Sequence, residues 1–105
     1  MSSRSKLPPY LRLLGHGDRR AILFLLGGKS LPVREIARSL NLNVSSVHYH
    51  VHRLFDSGLL DRDASATPNL YRLSTRTTVR KTRRVQKCTI HIDDERLTIT
   101  IPRKN

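Results

Sequence analysis

Apolar residues recur at helical spacing before residue 60 and mostly at alternate positions after it. In "DRRAILFLLGG", Ile22, Leu25 and Leu26 share one helix face, Asp18 suits the first turn, and Gly27-Gly28 stop the helix. The pattern returns in "VREIARSL", where Val33, Ile36, Ala37 and Leu40 form a stripe that ends near Asn41. A third helix, capped by Asn43 or Ser45, runs to about Ser57 and is closed by Gly58. Val47, Val51 and Leu54 make its buried stripe, with His50 at the margin.

The period then changes. "LLDRD" and "LYRLS", joined by the polar "ASATPN", predict a hairpin with Tyr71 and Leu73 on one face and Leu70 and Arg72 on the other. "CTIHIDDERLTITIP" predicts a second hairpin: Cys88, Ile90 and Ile92 alternate, Leu97, Ile99 and Ile101 alternate, and "DDER" supplies the reversal. Two strands alone are marginal in water, so this apolar face must rest on the helical body or on a second subunit. The expected class is α+β, with an arm over 1–17, a helical and hairpin domain over 18–74, and a basic extension with a β-hairpin over 75–105. Within the arm, Pro8-Pro9 stiffen the end of residues 1–9, and "YLRLLG" adds a short turn or helix.

Composition narrows the partner. The 105 residues suit one small domain, with a core drawn mainly from Leu, Ile and Val because tryptophan is absent and Phe and Tyr are few. Lys and Arg total 20 against 8 acids, a net charge of +12 that favours a polyanion. The single cysteine, Cys88, cannot form an intramolecular disulfide. The longest apolar run, "AILFLL", is six residues, too short to span a bilayer, and the N-terminus lacks a signal segment. A cytoplasmic protein associated with nucleic acid, with no membrane partner, is expected.

Two short helices joined by "NLN", with the small Ala37 where they would cross closely, have the spacing of a helix-turn-helix. In such a pair the second helix enters the major groove while the first packs across it. The segment "VREIARSLNLNVSSVHYHVHRLFDSGLL" and the following hairpin ending in "LYRLS" resemble the winged helix-turn-helix superfamily, most closely the ArsR-like transcriptional regulators. The resemblance spans roughly residues 18 to 74 and includes a recognition-helix ending of the form His-hydrophobic-x-x-Leu-x-x-x-Gly-Leu, here His50 to Leu59. It implies a homodimeric regulator of double-stranded DNA with Ser45, Ser46, His48, Tyr49 and His52 on the exposed recognition surface, and the small size without a separate effector domain points to a repressor that occupies a promoter. Arg53 is placed for a phosphate, and the wing carries Arg62, Asn69 and Arg72 about its tip. Ser45 as a mere cap and Tyr49 as a packing residue are the bland alternatives, and Arg19, Arg20, Arg34 and Arg38 can reinforce backbone contacts.

The chain departs from that family after the wing. Terminal helices commonly form the ArsR-like dimer interface, whereas residues 72–87 hold Arg72, Arg76, Arg80, Lys81, Arg83, Arg84 and Lys87 without an acid and lead into the second hairpin. The strip is an arm along DNA, an extended strand joined to that hairpin, or a solvated connector. Self-association is expected through this tail or the N-terminal segment.

Chemistry at metal or catalytic centres finds little support. His48 and His52 stand one helical turn apart, and Cys88 and His91 would point to opposite faces of a strand, so no four-ligand zinc pattern forms. The paired cysteines of metal-sensing relatives are missing, and no cofactor and no small-molecule or metal effector is expected. Asp93, Asp94 and Glu95 read as turn acids, and "LLGGKS" lacks phosphate-loop spacing, so no enzymatic activity is expected. The rival readings are an architectural protein that coats or bends duplex with little sequence choice, and a winged helix whose exposed face meets RNA or protein.

Overall fold

The computed structural model describes residues 12–82, 87–92 and 95–100. Among the described residues three helices, α1 (Gly17–Leu25), α2 (Val33–Leu40) and α3 (Val44–Asp56), precede five strands: β1 (Leu60–Asp63), β2 (Leu70–Leu73), β3 (Thr77–Thr82), β4 (Lys87–Ile92) and β5 (Glu95–Thr100). The helix boundaries follow local chemistry. His16 caps α1, its side chain accepting the Asp18 N–H. Asn41 ends α2 in the left-handed region at φ 56°, a conformation asparagine tolerates, and its N–H and that of Leu42 return to Ala37 and Arg38 carbonyls. At α3 the cap is Asn43, which accepts the Ser45 and Ser46 N–H groups at 2.8 and 3.4 Å. Gly58, at φ 87°, supplies the left-handed step after α3, and Leu59 N–H bonds back to the Leu54 carbonyl at 3.0 Å.

The two halves of the chain share one core. Ile22, Leu23, Phe24 and Leu26 of the first helical segment are buried with Ile36, Ala37, Val47, Val51 and Leu54, and also with Ile90 and Ile92 of β4. The single-stripe reading of α1 is corrected here: Leu23 and Phe24 are buried while Leu25 is only half-buried. The reason is that α1 touches α2, α3 and β3, and so is covered on more than one side. Leu13 and Leu14 are buried as well, so the core reaches into the segment taken from sequence as an arm.

β1 and β2 pair antiparallel from Leu60↔Leu73 to Asp63↔Leu70. Leu31, between α1 and α2, adds a bridge to this ribbon by exchanging hydrogen bonds with Tyr71 at 3.0 and 2.9 Å. The expected second hairpin is present as β4 and β5, paired from Lys87↔Thr100 to Ile92↔Glu95, so Glu95 and Arg96, expected in the reversal, belong to the strand. The basic strip resolves as a strand through Thr77–Thr82, paired with β4 in a three-stranded sheet of order β3-β4-β5. The free-arm and connector alternatives are therefore set aside for this stretch. Thr77, Ile90 and Ile92 are buried and Val79 half-buried, whereas Thr78 and Arg80 are exposed, so the sheet lays one face on the helices. Gly27 permits the approach: a Cβ there would stand 2.6 Å from a Val79 methyl.

If the sheet and the helices are one cooperative unit, Ile90→Ala should lower the midpoint of a single urea transition by the equivalent of about 2–5 kcal/mol. A separate transition, or no change, would show that the sheet folds independently. Asn43→Ala should cost about 1 kcal/mol through loss of the α3 cap, read as a shifted midpoint with an unchanged slope.

Candidate nucleic-acid interface

One side of α3 is given to packing and the other to solvent. Val47, His50, Val51 and Leu54 are buried, while Ser45, Ser46, His48, Tyr49 and Arg53 are exposed and His52 is half-buried. The Tyr49 ring, 55% exposed, is thus a surface group rather than a packing residue. His48 and His52 stack with ring centroids 4.6 Å apart, which gives their polar edges a shared orientation on the open face. Asn43, not Ser45, holds the end of the helix. The preceding exposed apolar residue, Val44, was not selected from the sequence, although its place directly after the cap puts it at the leading end of the recognition surface.

The β1–β2 ribbon meets that leading end. A groove of about 570 Å³ runs between them, lined by Val33, Arg34, Val44, His48, Pro68 and Asn69 among others. Asn69 and Arg72 are exposed on the ribbon. Arg62, also exposed, lies 4.4 Å over the Phe55 ring, which ties part of this side chain to the end of α3. Asp63 accepts from the Ser65 hydroxyl at 2.6 Å and from its N–H at 3.0 Å, and these bonds hold its carboxyl below the usual carboxylate range. A fixed anion therefore sits beside the tip.

The remaining basic residues separate by location. Arg76 reaches the far end of α3, where its Nη1 lies 2.6 Å from the position a Cβ on Gly58 would occupy. Arg80 is exposed on β3, and Lys81 follows it in the strand opposite Cys88. Arg83 and Arg84 lie outside the described residues. Arg34 and Arg38 are exposed, with Arg38 3.7 Å from Glu35. Arg20 donates to the Leu14 carbonyl at 2.8 Å, so a structural tie accounts for it.

Behind the exposed face lies a polar cluster that sequence spacing could not reveal. Arg19 donates from Nε to His50 Nδ1 at 3.0 Å and from Nη1 to the Leu13 carbonyl at 3.3 Å. The His16 ring lies 4.4 Å from that of His50. His16, Asp18 and His50 bring ligand-type atoms within 4.8 Å of one another. Their hydrogen bonds argue against a metal centre, however. Each Nδ1 already accepts an N–H, from Asp18 or from Arg19, which assigns the ring proton to Nε2 and leaves a neutral imidazole no lone pair for an ion. The cluster is a packing device for the buried face of α3.

Residues 14–63 match the family described as a helix-turn-helix domain. Among solved structures, reduced HlyU from Vibrio cholerae is 29% identical, with a TM-score of 0.58 over 63% of this chain and 70% of that one. The chain has the winged helix-turn-helix fold. A homodimeric winged helix-turn-helix DNA-binding domain from Mycobacterium bovis, described as a possible ArsR-family transcriptional regulator, is 24% identical with a TM-score of 0.56, covering 70% and 76% of the two chains. At that identity the likeness is one of fold. Curated proteins give no match. In winged-helix terms α2 and α3 are the helix-turn-helix, α3 stands in the position of the recognition helix and β1–β2 in that of the wing. No helix among the described residues is long and apolar enough to cross a membrane.

Burial lowers the pKa of His50, and the neighbouring His16 and Arg19 act in the same sense against a smaller opposing effect of Asp18. Folding therefore favours the neutral ring. That contribution is complete above the unfolded value of about 6.5 and is lost as pH falls from there through the lower folded value. Urea unfolding at about pH 7.5 and about pH 5 should show a loss of stability on acidification that is smaller in His50→Gln. Equal losses in both proteins would assign the effect to other groups.

Proposed function

We propose that this winged helix is a sequence-specific repressor that binds double-stranded DNA as a homodimer, without catalysis or cofactor, and works on cytoplasmic DNA by occupying a promoter. The observation that carries the reading is the two-sided construction of α3. A buried stripe sets its angle, while Ser45, Ser46, His48, Tyr49 and His52 face outward or stand at the margin beside the wing. In the groove, serine hydroxyls and imidazole N–H groups meet base edges or phosphates, Val44 offers an apolar contact of the kind a thymine methyl takes, and the Tyr49 ring packs on sugar or methyl surface. Arg53, Arg62, Asn69 and Arg72 serve phosphates from the helix and wing, and Arg76, Arg80, Lys81, Arg83 and Arg84 add basic charge for further phosphates. Two observations support a dimer: the related fold from Mycobacterium bovis is homodimeric, and β5 is an outer strand of its sheet among the described residues. An outer strand offers backbone groups to a second copy.

Selection from random duplexes at near-physiological salt should return a short two-fold related sequence, bound more tightly than competitor DNA by about 4–10 kcal/mol, with a complex mass of two chains per site. Uniform affinity for unrelated duplexes over extended regions would support the architectural reading, and preference for folded RNA would remove both. Tyr49→Ala and Ser46→Ala should each weaken binding to the selected site by about 1–3 kcal/mol and change competitor binding much less. Equal losses on both DNAs would take these residues out of base readout.

A further inference from the structure

We infer that Arg19, although it belongs to α1 and lies outside the helix-turn-helix pair, joins Arg53 across the Tyr49 ring to form a site for a phosphate of the DNA backbone. The inference rests on the DNA-binding reading above and adds a residue and a ligand atom to it. Both guanidinium carbons lie 5.9 Å from the centroid of the same exposed ring, so the two cations stand at most about 12 Å apart. Tyr49 provides a common platform for them on the open side of α3. Among the described residues neither arginine has a carboxylate within salt-bridge distance. Asp18, in the His16–His50 cluster beside Arg19, forms no ion pair with either guanidinium, so the two can take a further anion from outside.

Arg19 is also held ready for one. Its Nε is fixed by His50 and its Nη1 by the Leu13 carbonyl, bonds that orient the guanidinium plane and leave Nη2 with no acceptor among the described residues. A guanidinium whose orientation is already set loses little freedom on binding, and its planar fork of donors matches phosphate oxygens. Arg53 is exposed on α3, one turn after Tyr49, with its guanidinium carbon as close to the same ring as that of Arg19. The placement suits the strand bordering the major groove: Tyr49 projects from the recognition helix, so anions captured beside it are backbone phosphates rather than base edges.

The test uses the full-length protein and its selected duplex, with single phosphates replaced one at a time by neutral methylphosphonates. One or two adjacent replacements should weaken the wild type but have little further effect on Arg19→Gln or Arg53→Gln. Each variant should also flatten the slope of log affinity against log salt by about 0.9, equally on selected and unrelated DNA. Arg19→Lys should keep that slope, because the charge remains while the bond to His50 changes. Urea midpoints check folding, and Arg53→Gln, which removes an exposed side chain, keeps the test usable if Arg19→Gln is unstable. Unchanged salt slopes, with every methylphosphonate still costing the variants as much as the wild type, would overturn the site and leave Arg19 a structural tie. Thermal stabilisation by millimolar inorganic phosphate, with no single DNA phosphate mattering, would assign the site to free anions and overturn the DNA assignment. If the wild type binds no duplex, the regulator reading fails and the phosphate site with it.

Discussion

Everything in this protein is arranged around the covering of α1. A nine-residue helix is marginal by itself, and this one is stable because neighbours close over more than one side of it. α2 and α3 take one part of its surface and β3 another, with Ile90 and Ile92 completing the same core. The C-terminal sheet thus supplies apolar area that the helical pair lacks. Gly27 is where this constraint is sharpest, since any larger residue would collide with Val79.

The same packing decides the pose of the recognition helix. Its inner stripe contains one polar residue, His50, whose burial is tolerable because Arg19 donates to it. The bond joins residues 31 positions apart and ties the guanidinium to the Leu13 carbonyl as well, so the start of α1, the segment before it and the middle of α3 are held together. A histidine that looked marginal to a hydrophobic stripe is therefore part of the scaffold. Its neighbours His48 and His52 stack on the other side of the helix, where they can face a ligand.

Charge and shape divide the work of binding. A net charge of +12 draws the chain to a polyanion wherever the arginines sit, but it cannot choose a sequence. In the proposed function, choice rests on the exposed side of α3 and on the groove it forms with Pro68 and Asn69 of the β1–β2 ribbon. The wing carries an anion at Asp63 and commits Arg62 to Phe55, so it is a weaker electrostatic element than its arginines suggest. The basic strip, by becoming strand β3, has its alternate positions divided between core and solvent: Thr77 is buried, Val79 half-buried and Arg80 exposed.

Much of this was legible without coordinates. Period 3.6 and the capping residues marked α1 to α3, period 2 marked the wing and the β4–β5 hairpin, and the spacing of the helix pair marked α3 as the residue-presenting helix, because each of these signals is local and set by backbone geometry. Pairings between distant segments were not legible. The Leu31–Tyr71 bridge, the docking of β3 and β4 on α1, the burial of Leu13 and Leu14 and the Arg19–His50 bond have no local periodicity to announce them. They exist because a small core must recruit every apolar surface within reach and satisfy each polar group it encloses. The sequence alone determined which side chains could face DNA, and the tertiary structure decided which of them are free to do so.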